Sequence, residues 1–330
     1  MDLTAIAKLF PSPGTPHASL TVLRSRYRGV LLGVAVGNLL GLPVEAVGGE
    51  AIRARFPNGL MEIDPSERSR AWDDDLAQTA LLAEALLATE GLDPKAFAAR
   101  LVAWANTNGR GIGILTQQVI NELARGVGPA DAARKVWEAG GRRSAGNGAV
   151  MRCAPVAMRW RHDLPQLFRD SIASAQVTHA DPRCQWSTVA VNVALALLLE
   201  GEGLDLEAIG GALARAGAPG GLVDAVGRVT GASLHSLALD DPDAMGYTFK
   251  AMQAGLWAVK QPGTLEETLV RVVSAGGDTD TNGAVAGALL GARFGEAVIP
   301  ARWTECIGNR PSLERLAERL LERSLASEGA

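Results

Sequence analysis

Alanine- and leucine-rich segments whose apolar residues recur every three to four positions dominate this chain. This spacing places the apolar side chains on one face of a helix, whereas a half-buried strand needs strict alternation. The helical spacing is clearest in residues 76–88, 96–105, 181–200 and 281–294. Alternation is scarce, and aromatic residues, which favour strands, make up only 5% of the chain. The pattern therefore predicts an all-α fold.

Clusters of glycine, proline and aspartate separate the helical segments, for example at 91–94, 140–141 and 217–221. They predict ten or more helices joined by short loops. No repeat or low-complexity stretch divides the chain, and its 47% apolar content suffices for one large core. We therefore expect one compact domain over residues 21–330. Three prolines within residues 1–20 predict an N-terminal arm or loop.

The charge and cysteine content argue against several classes of protein. With 32 basic against 36 acidic residues, the chain lacks the basic field that holds nucleic acid. Its three cysteines have no CxxC spacing, which argues against a disulfide framework and a zinc knuckle. The longest apolar run, residues 189–199, is shorter than a bilayer of roughly 30 Å requires, and the N-terminus lacks a secretory pattern. We expect a cytoplasmic protein with neither a nucleic-acid nor a membrane partner.

Three adjacent carboxylates, Asp73, Asp74 and Asp75, directly precede the helical segment 76–88. One acid at a helix start is explained by the unpaired N–H groups and the positive end of the helix dipole. Three acids repel one another, and a divalent cation would relieve that repulsion. Because all the ligand atoms would be oxygens, magnesium, manganese or calcium would be preferred. Helix capping and metal binding both stay open at this point.

A second acidic helix start, with Asp278, Asp280 and Thr281 in the sequence GGDTDT, precedes the segment 281–294. The two glycines permit a tight turn, and in a non-helical lead-in both carboxylates and the Thr281 hydroxyl can point at one site. An Asx turn with a helix cap is the alternative. Two acidic helix starts in one chain favour a shared carboxylate cage.

Small residues follow one another in the segment SAGNG at 144–148. Their accessible N–H groups could cradle an anionic group such as a diphosphate. The segment lacks the Gly-Lys-Ser/Thr ending of a P-loop and the strand context of a dinucleotide fingerprint, so a simple turn is the alternative. His179, beside a helix start, and Glu45, after an apolar helix, indicate no function by themselves.

Five segments taken together resemble the ADP-ribosylglycohydrolase family, which includes the dinitrogenase reductase-activating glycohydrolases. They are GVAVGNLLGLPVE at 33–45, WDDDLAQTALL at 72–82, SAGNGAVMRCAP at 144–155, THADP at 178–182 and GGDTDTNGAVAGALLGARFG at 276–295. The resemblance implies an all-α, single-domain fold with a magnesium or manganese centre of two ions. It also implies hydrolysis of the bond between ADP-ribose and an acceptor such as arginine or serine. The partner would be an ADP-ribosylated protein or small molecule.

The resemblance also implies site residues. The metal ligands would be Asp74, Asp75, Asp278, Asp280 and Thr281, with Asp73 where the family usually has a threonine ligand. The substrate-binding residues would be Ser144, Gly146, Asn147, Gly148 and His179. Asp74, Asp75 and Glu45 are the candidates for proton transfer, and the sequence does not choose among them.

The sequence departs from the family pattern at several positions. Asn38 stands for the aspartate of GDxxG, Leu76 for the threonine of DDT, and Asp73 for a threonine. Ala145 stands where some members have an aromatic residue that can stack on adenine. We expect a weaker or differently selective metal centre, partly offset by the charge of Asp73. A catalytically silent relative that binds ADP-ribose or a nucleotide, and a divergent metal-dependent glycoside hydrolase, are the alternative functions.

Overall fold

A computed structural model describes Ala5, residues 8–10 and residues 18–328 of the chain. The described residues form sixteen α-helices, four short 3-10 helices and one two-stranded ribbon. The α-helices are α1 Leu20–Gly41, α2 Gly49–Arg55, α3 Asp74–Ala88, α4 Pro94–Thr107, α5 Ile114–Ala124, α6 Pro129–Ala139, α7 Ala154–Trp160, α8 Leu164–Gln176, α9 Pro182–Glu200, α10 Leu206–Arg215, α11 Gly220–Gly227, α12 Thr248–Lys260, α13 Leu265–Val273, α14 Thr279–Phe294, α15 Ala301–Thr304 and α16 Arg310–Glu328. The strands are β1 Val47–Gly48 and β2 Gly276–Gly277, which pair antiparallel.

The all-α fold is confirmed, and the four segments with helical spacing form α3, α4, α9 and α14. Two of these helices begin earlier than expected. Helix α3 begins at Asp74 and α14 at Thr279, so Asp280 and Thr281 lie in a first helical turn and not in a non-helical lead-in. The arm predicted for residues 1–20 falls largely outside the described residues. Of those described, Phe10 is buried with its ring edge-on to Phe168.

Helices α1 and α14 make the most extensive helix–helix contact among the described residues. Glycines spaced four residues apart line both facing surfaces, at 29, 33, 37 and 41 on α1 and at 283, 287 and 291 on α14. A β-carbon on Gly33 would overlap the carbonyl oxygen of Gly287, and one on Gly287 would overlap that of Gly33. The two backbones can approach this closely only because no side chain separates them.

Helix α1 with the turn after it, Leu20–Val44, is long and apolar enough to cross a membrane by length and composition. In the structure, 83% of its most apolar window is buried inside the protein. The core helix of a folded protein passes the same test of length and composition. Besides α14, this helix contacts α16, α13 and α3, so its apolar surface faces other helices.

The ribbon of β1 and β2 joins the end of α1 to the start of α14. The Ala46 N–H donates to the Gly277 carbonyl at 2.8 Å. Gly277 has φ +84°, and a β-carbon there would overlap the Leu239 backbone, so glycine is required. The ribbon holds Glu45, which precedes β1, beside Asp278, which follows β2.

The glycine contact leads to a first prediction. We expect Gly33→Ala to lower the free energy of unfolding by about 3 kcal/mol, because the added methyl forces two backbones apart. In the matched control Gly210→Ala, on α10, the methyl has ordinary contact with Val226 at 3.9 Å, and stability should stay equal or rise by up to about 1 kcal/mol. Urea denaturation measures both. Equal stability of the two variants would contradict the close packing.

Candidate active site

The N-termini of α3 and α14 meet at the acidic residues that the sequence singles out. Asp73 and Asp278 occupy the position just before each helix, where an acid usually caps. Neither side chain accepts a capping hydrogen bond from its own helix. Neither carboxylate therefore acts as a side-chain cap, and each accepts a hydrogen bond from another part of the chain instead.

Carboxylates from the two helix starts form one buried cluster. One oxygen from each of Asp73, Asp75 and Asp280 lies within 4.8 Å of the other two. All three residues are buried, and Asp75 is 0% exposed. The Thr281 hydroxyl donates to Asp75 Oδ2 at 3.5 Å. The structure thus brings together residues about 200 positions apart, as the sequence predicted.

Asn38 on α1 also contacts the acidic cluster. Its Nδ2 donates to Asp73 Oδ2 and to Asp75 Oδ2, each at 3.4 Å. Its Oδ1 is buried with no hydrogen-bond donor among the described residues, as are Asp75 Oδ1 and Asp280 Oδ1. Buried oxygens without donors are unfavourable. A hard cation would use these same lone pairs, so the donor set fits magnesium or manganese.

Burial and mutual repulsion dominate the electrostatics of the cluster. Burial, followed by the neighbouring carboxylates, raises the pKa values of Asp74, Asp75 and Asp280 well above the usual range. Burial also raises the pKa of Asp73, opposed by Asn38 and Arg110. Among the described residues, Arg110 is the one cation within ion-pair distance of these acids, with Nε 3.5 Å from Asp73 Oδ1. The cluster therefore favours binding either protons or a cation.

A cleft of about 400 Å³ opens onto the cluster. It brings together most of the residues that the resemblance implied: Glu45, Asp74, Asp278, Asp280, Thr281, Gly146, Asn147, Gly148 and His179. Further lining residues were not foreseen: Gly111, Gly113, Ile114, Leu115, Thr116, Met151, Met245 and Gly246. Acidic groups and the small-residue loop thus line the same cleft.

Ser144 is the exception among the expected substrate-binding residues. It lines a different groove, together with Gln118 and Asn121. Between Ser144 and Asn147, Gly146 pairs with Tyr247 in an isolated antiparallel bridge. Beyond that bridge Asn147 faces the cleft, and its Nδ2 donates to Asp278 Oδ2 at 2.8 Å. The geometry therefore does not support the expected contact of Ser144 with substrate.

His179 lies against the small-residue loop. A β-carbon on Gly148 would lie 3.2 Å from its Nε2, so a side chain at position 148 would press on the ring. Its Nδ1 lies 2.8 Å from the Thr178 hydroxyl. Burial, with a smaller effect of Arg152, lowers the pKa of His179 to about 3. The imidazole is therefore neutral near pH 7.

A glycine-rich loop over residues 108–113 covers the acidic cluster and was not recognised in the sequence. Gly111 has φ +78°, and a β-carbon there would lie 2.7 Å from Asp74 Oδ1. Arg110 anchors the loop, because it donates to Glu67 and to the Ala71 carbonyl. The three glycines in NGRGIG were the signal that could have identified this segment.

Leu76 does not belong to the acidic centre. It is 1% exposed and lies in the hydrophobic core, outside the residues that line the cleft. Its side chain packs with apolar neighbours, and the effect of leucine at this position on metal binding stays a prediction. Of the departures from the family pattern, Asn38 and Asp73 are the two that reach the cluster.

Comparison with known proteins agrees with this geometry. Residues 19–329 match the family model described as ADP-ribosylglycohydrolase. An uncharacterised protein of Archaeoglobus fulgidus is 33% identical, over 91% of this chain and 97% of its own length. The ADP-ribosylarginine hydrolase Tri1 of Pseudomonas putida is 27% identical, over 94% of this chain and 80% of its own length.

A solved structure, described as an ADP-ribosylglycohydrolase-related protein complex, superposes on this fold with a TM-score of 0.74. It is 29% identical in sequence and covers 92% of this chain and 100% of that chain. The family match spans the described helices, both acidic helix starts and the small-residue loop. The chain belongs to the ADP-ribosylglycohydrolase family and is an enzyme of that hydrolase type.

Proposed function

We propose that this enzyme hydrolyses the glycosidic bond between ADP-ribose and an acceptor in a reaction that needs two magnesium or manganese ions. The observation that supports this proposal most directly is the meeting of both acidic helix starts with the small-residue loop in one cleft. The similarity to an ADP-ribosylarginine hydrolase makes ADP-ribosyl-arginine the first substrate to test. ADP-ribosyl-serine and O-acetyl-ADP-ribose are the next.

Asp73, Asp75 and Asp280 would hold the ions, together with Asp74, Asp278 and Thr281. The three donor-free oxygens of Asn38, Asp75 and Asp280 support this assignment. Bound there, the ions would lower the pKa of a water molecule and orient the ribose hydroxyls. The carboxylates would also favour the positive charge that develops at the anomeric carbon.

The position of each acid separates the candidates for proton transfer. Asp75 is fully buried and does not line the cleft, which suits a ligand better than a group that contacts substrate. Glu45 and Asp74 both line the cleft. Partial burial, followed by Asp278 and Asp73, raises the pKa of Glu45, which brings it closer to neutral pH. We assign the transfer of the water or leaving-group proton to Glu45, with Asp74 as the alternative.

The small-residue loop would hold the anionic part of the substrate. Gly146 and Gly148 expose backbone, and His179 stands behind them. This arrangement suits a diphosphate, because it offers hydrogen-bond donors without an acid of its own.

We also propose a reducing, cytoplasmic location. Its support is that all three cysteines are buried as free thiols.

Two substitutions test the assigned acids. We expect Asp74→Asn and Asp280→Asn to abolish metal-dependent release of ADP-ribose, because each removes a ligand charge at nearly constant size. Asp131→Asn is the matched control, since its carboxylate lies on the surface of α6 with only an exposed ion pair to Arg134. Release of ADP-ribose is measured with manganese and with magnesium, and circular dichroism checks the fold. Wild-type turnover in either cluster variant would contradict its role.

If the parent protein releases no ADP-ribose from any of the three substrates but binds ADP-ribose, the silent binding relative is the better assignment. Turnover of a simple N- or O-glycoside instead would favour the divergent glycoside hydrolase. The three outcomes are distinct because binding and release are measured separately, by calorimetry and by chromatography of the free nucleotide.

Metal binding should stabilise the fold, and more strongly at higher pH. The pKa values of Asp74, Asp75 and Asp280 are raised in the folded, metal-free protein. The folded state therefore keeps protons that the unfolded chain releases, and stability falls as the pH rises above the ordinary carboxyl pKa of about 4. Manganese replaces those protons, so its effect grows with pH. We expect a larger rise in Tm with manganese at pH 8 than at pH 5. No heat of binding and no change in Tm with either ion would exclude the metal centre.

Compared with the family pattern, position 38 lacks a carboxylate and position 73, which contacts it, carries one. This contact leads to a prediction about metal binding. Asp73→Thr should weaken manganese binding by about 10-fold or more, because the cluster loses a charge. The exchange variant Asn38→Asp/Asp73→Thr restores that charge across the same contact, and we expect it to recover most of the affinity. Calorimetric titration compares the parent, the single and the double variant. Failure of the exchange to improve on Asp73→Thr would show that the two positions act independently.

A further inference from the structure

Arg152, which follows the small-residue loop, is a buried cation whose hydrogen-bond partners lie beside the active site. Its side chain is 0% exposed, and its guanidinium lies 5.1 Å from the centre of the Phe97 ring. No carboxylate among the described residues pairs with it, although the charge of Asp74 acts on it from a distance. Burying an unpaired cation is unfavourable, and its hydrogen bonds must offset much of that penalty. Those bonds connect Arg152 to Gln78, beside the acidic cluster, and to Thr178, beside His179.

The first branch leads to the acidic cluster. Arg152 donates to Gln78 Oε1 at 2.5 Å. Because a guanidinium only donates, the Gln78 amide must turn its oxygen to Arg152 and its Nε2 the other way. That Nε2 donates to Asp74 Oδ2 at 3.4 Å. Arg152 therefore determines which group Gln78 presents to Asp74.

The second branch leads to the histidine. Arg152 donates to Thr178 Oγ1 at 2.6 Å and to the Ser174 carbonyl at 3.2 Å. With its oxygen accepting from Arg152, Thr178 has its hydroxyl proton available for His179 Nδ1, which lies 2.8 Å away. A neutral imidazole that accepts at Nδ1 carries its proton on Nε2. That nitrogen lies beside Gly146 and Gly148, at the cleft.

We propose that Arg152 is a positioning residue that, through Thr178, fixes His179 as a neutral Nε2–H donor toward the cleft and, through Gln78, orients Asp74. In this role His179 donates a hydrogen bond to a phosphate or hydroxyl oxygen of the substrate and does not transfer a proton. The alternative is that Thr178 accepts from both neighbours, which would put the proton of His179 on Nδ1. The consequence for turnover depends on the proposed function, whereas the tautomer itself does not.

Nitrogen NMR of histidine-labelled protein without ligand tests the tautomer directly. Four histidines give signals, and His179→Gln identifies the one from His179. We expect a protonated Nε2 and an unprotonated Nδ1 at pH 7. A protonated Nδ1 would overturn the proposal, whatever the activity of the enzyme.

Two variants of Thr178 test whether its hydroxyl connects Arg152 to His179. Thr178→Val has nearly the same shape without the hydroxyl, and we expect it to mix the two tautomers and raise KM about 10-fold with a smaller change in kcat. Thr178→Ser keeps the hydroxyl and should keep the wild-type nitrogen shifts and KM. Unchanged shifts in Thr178→Val would overturn the link. If Thr178→Val does not fold, the shifts of the parent and of Thr178→Ser still decide the tautomer. If no substrate is turned over, the proposed function fails while the NMR result stands.

Discussion

Direct backbone contact between α1 and α14 is the constraint on which the active site depends. A β-carbon on Gly41 would overlap the backbone of Asp280, so the last turn of α1 lies directly against the first turn of α14. One turn earlier on α1, Asn38 donates to Asp75 on a third helix. Any side chain between the two glycine-lined surfaces would separate Asp280 from Asn38 and Asp75. The acids of the cluster are therefore positioned by residues that have no side chains.

The same close packing creates an electrostatic problem. It removes several carboxylates from water within a few ångströms of one another, which raises their pKa values. Two features of the fold reduce the penalty. The N-terminal ends of α3 and α14 both point at the cluster, and their partial positive charges favour anions. Asn38 also donates to two of the carboxylates. The remaining buried oxygens without donors leave the cluster suited to a cation.

Much of the fold follows from the sequence, because apolar residues that recur every three to four positions indicate a helix wherever it lies in the chain. The acidic helix starts were also foreseeable, since three adjacent carboxylates at Asp73–Asp75 exceed the needs of a cap. The long-range contacts could not be foreseen from the sequence. Nothing near Arg152 in sequence indicates that it reaches Gln78 and Thr178 on two other segments. The sequence likewise did not indicate that Ser144 lines a different groove from Gly146 and Asn147. Sequence spacing predicts which residues share a helix face but not which loops meet.

Asn38 and Asp73 read as two separate departures in the sequence, whereas the structure joins them in one contact. An aspartate at position 38 could only accept, whereas the asparagine donates to two carboxylates and so orders them. The carboxylate of Asp73 lies within ion-pair distance of Arg110. Arg110 also anchors the loop over residues 108–113 through its ion pair with Glu67. A cation that binds Asp73 must therefore share it with this arginine. Arg110 thus connects the acidic cluster to the segment that supports the loop over residues 108–113.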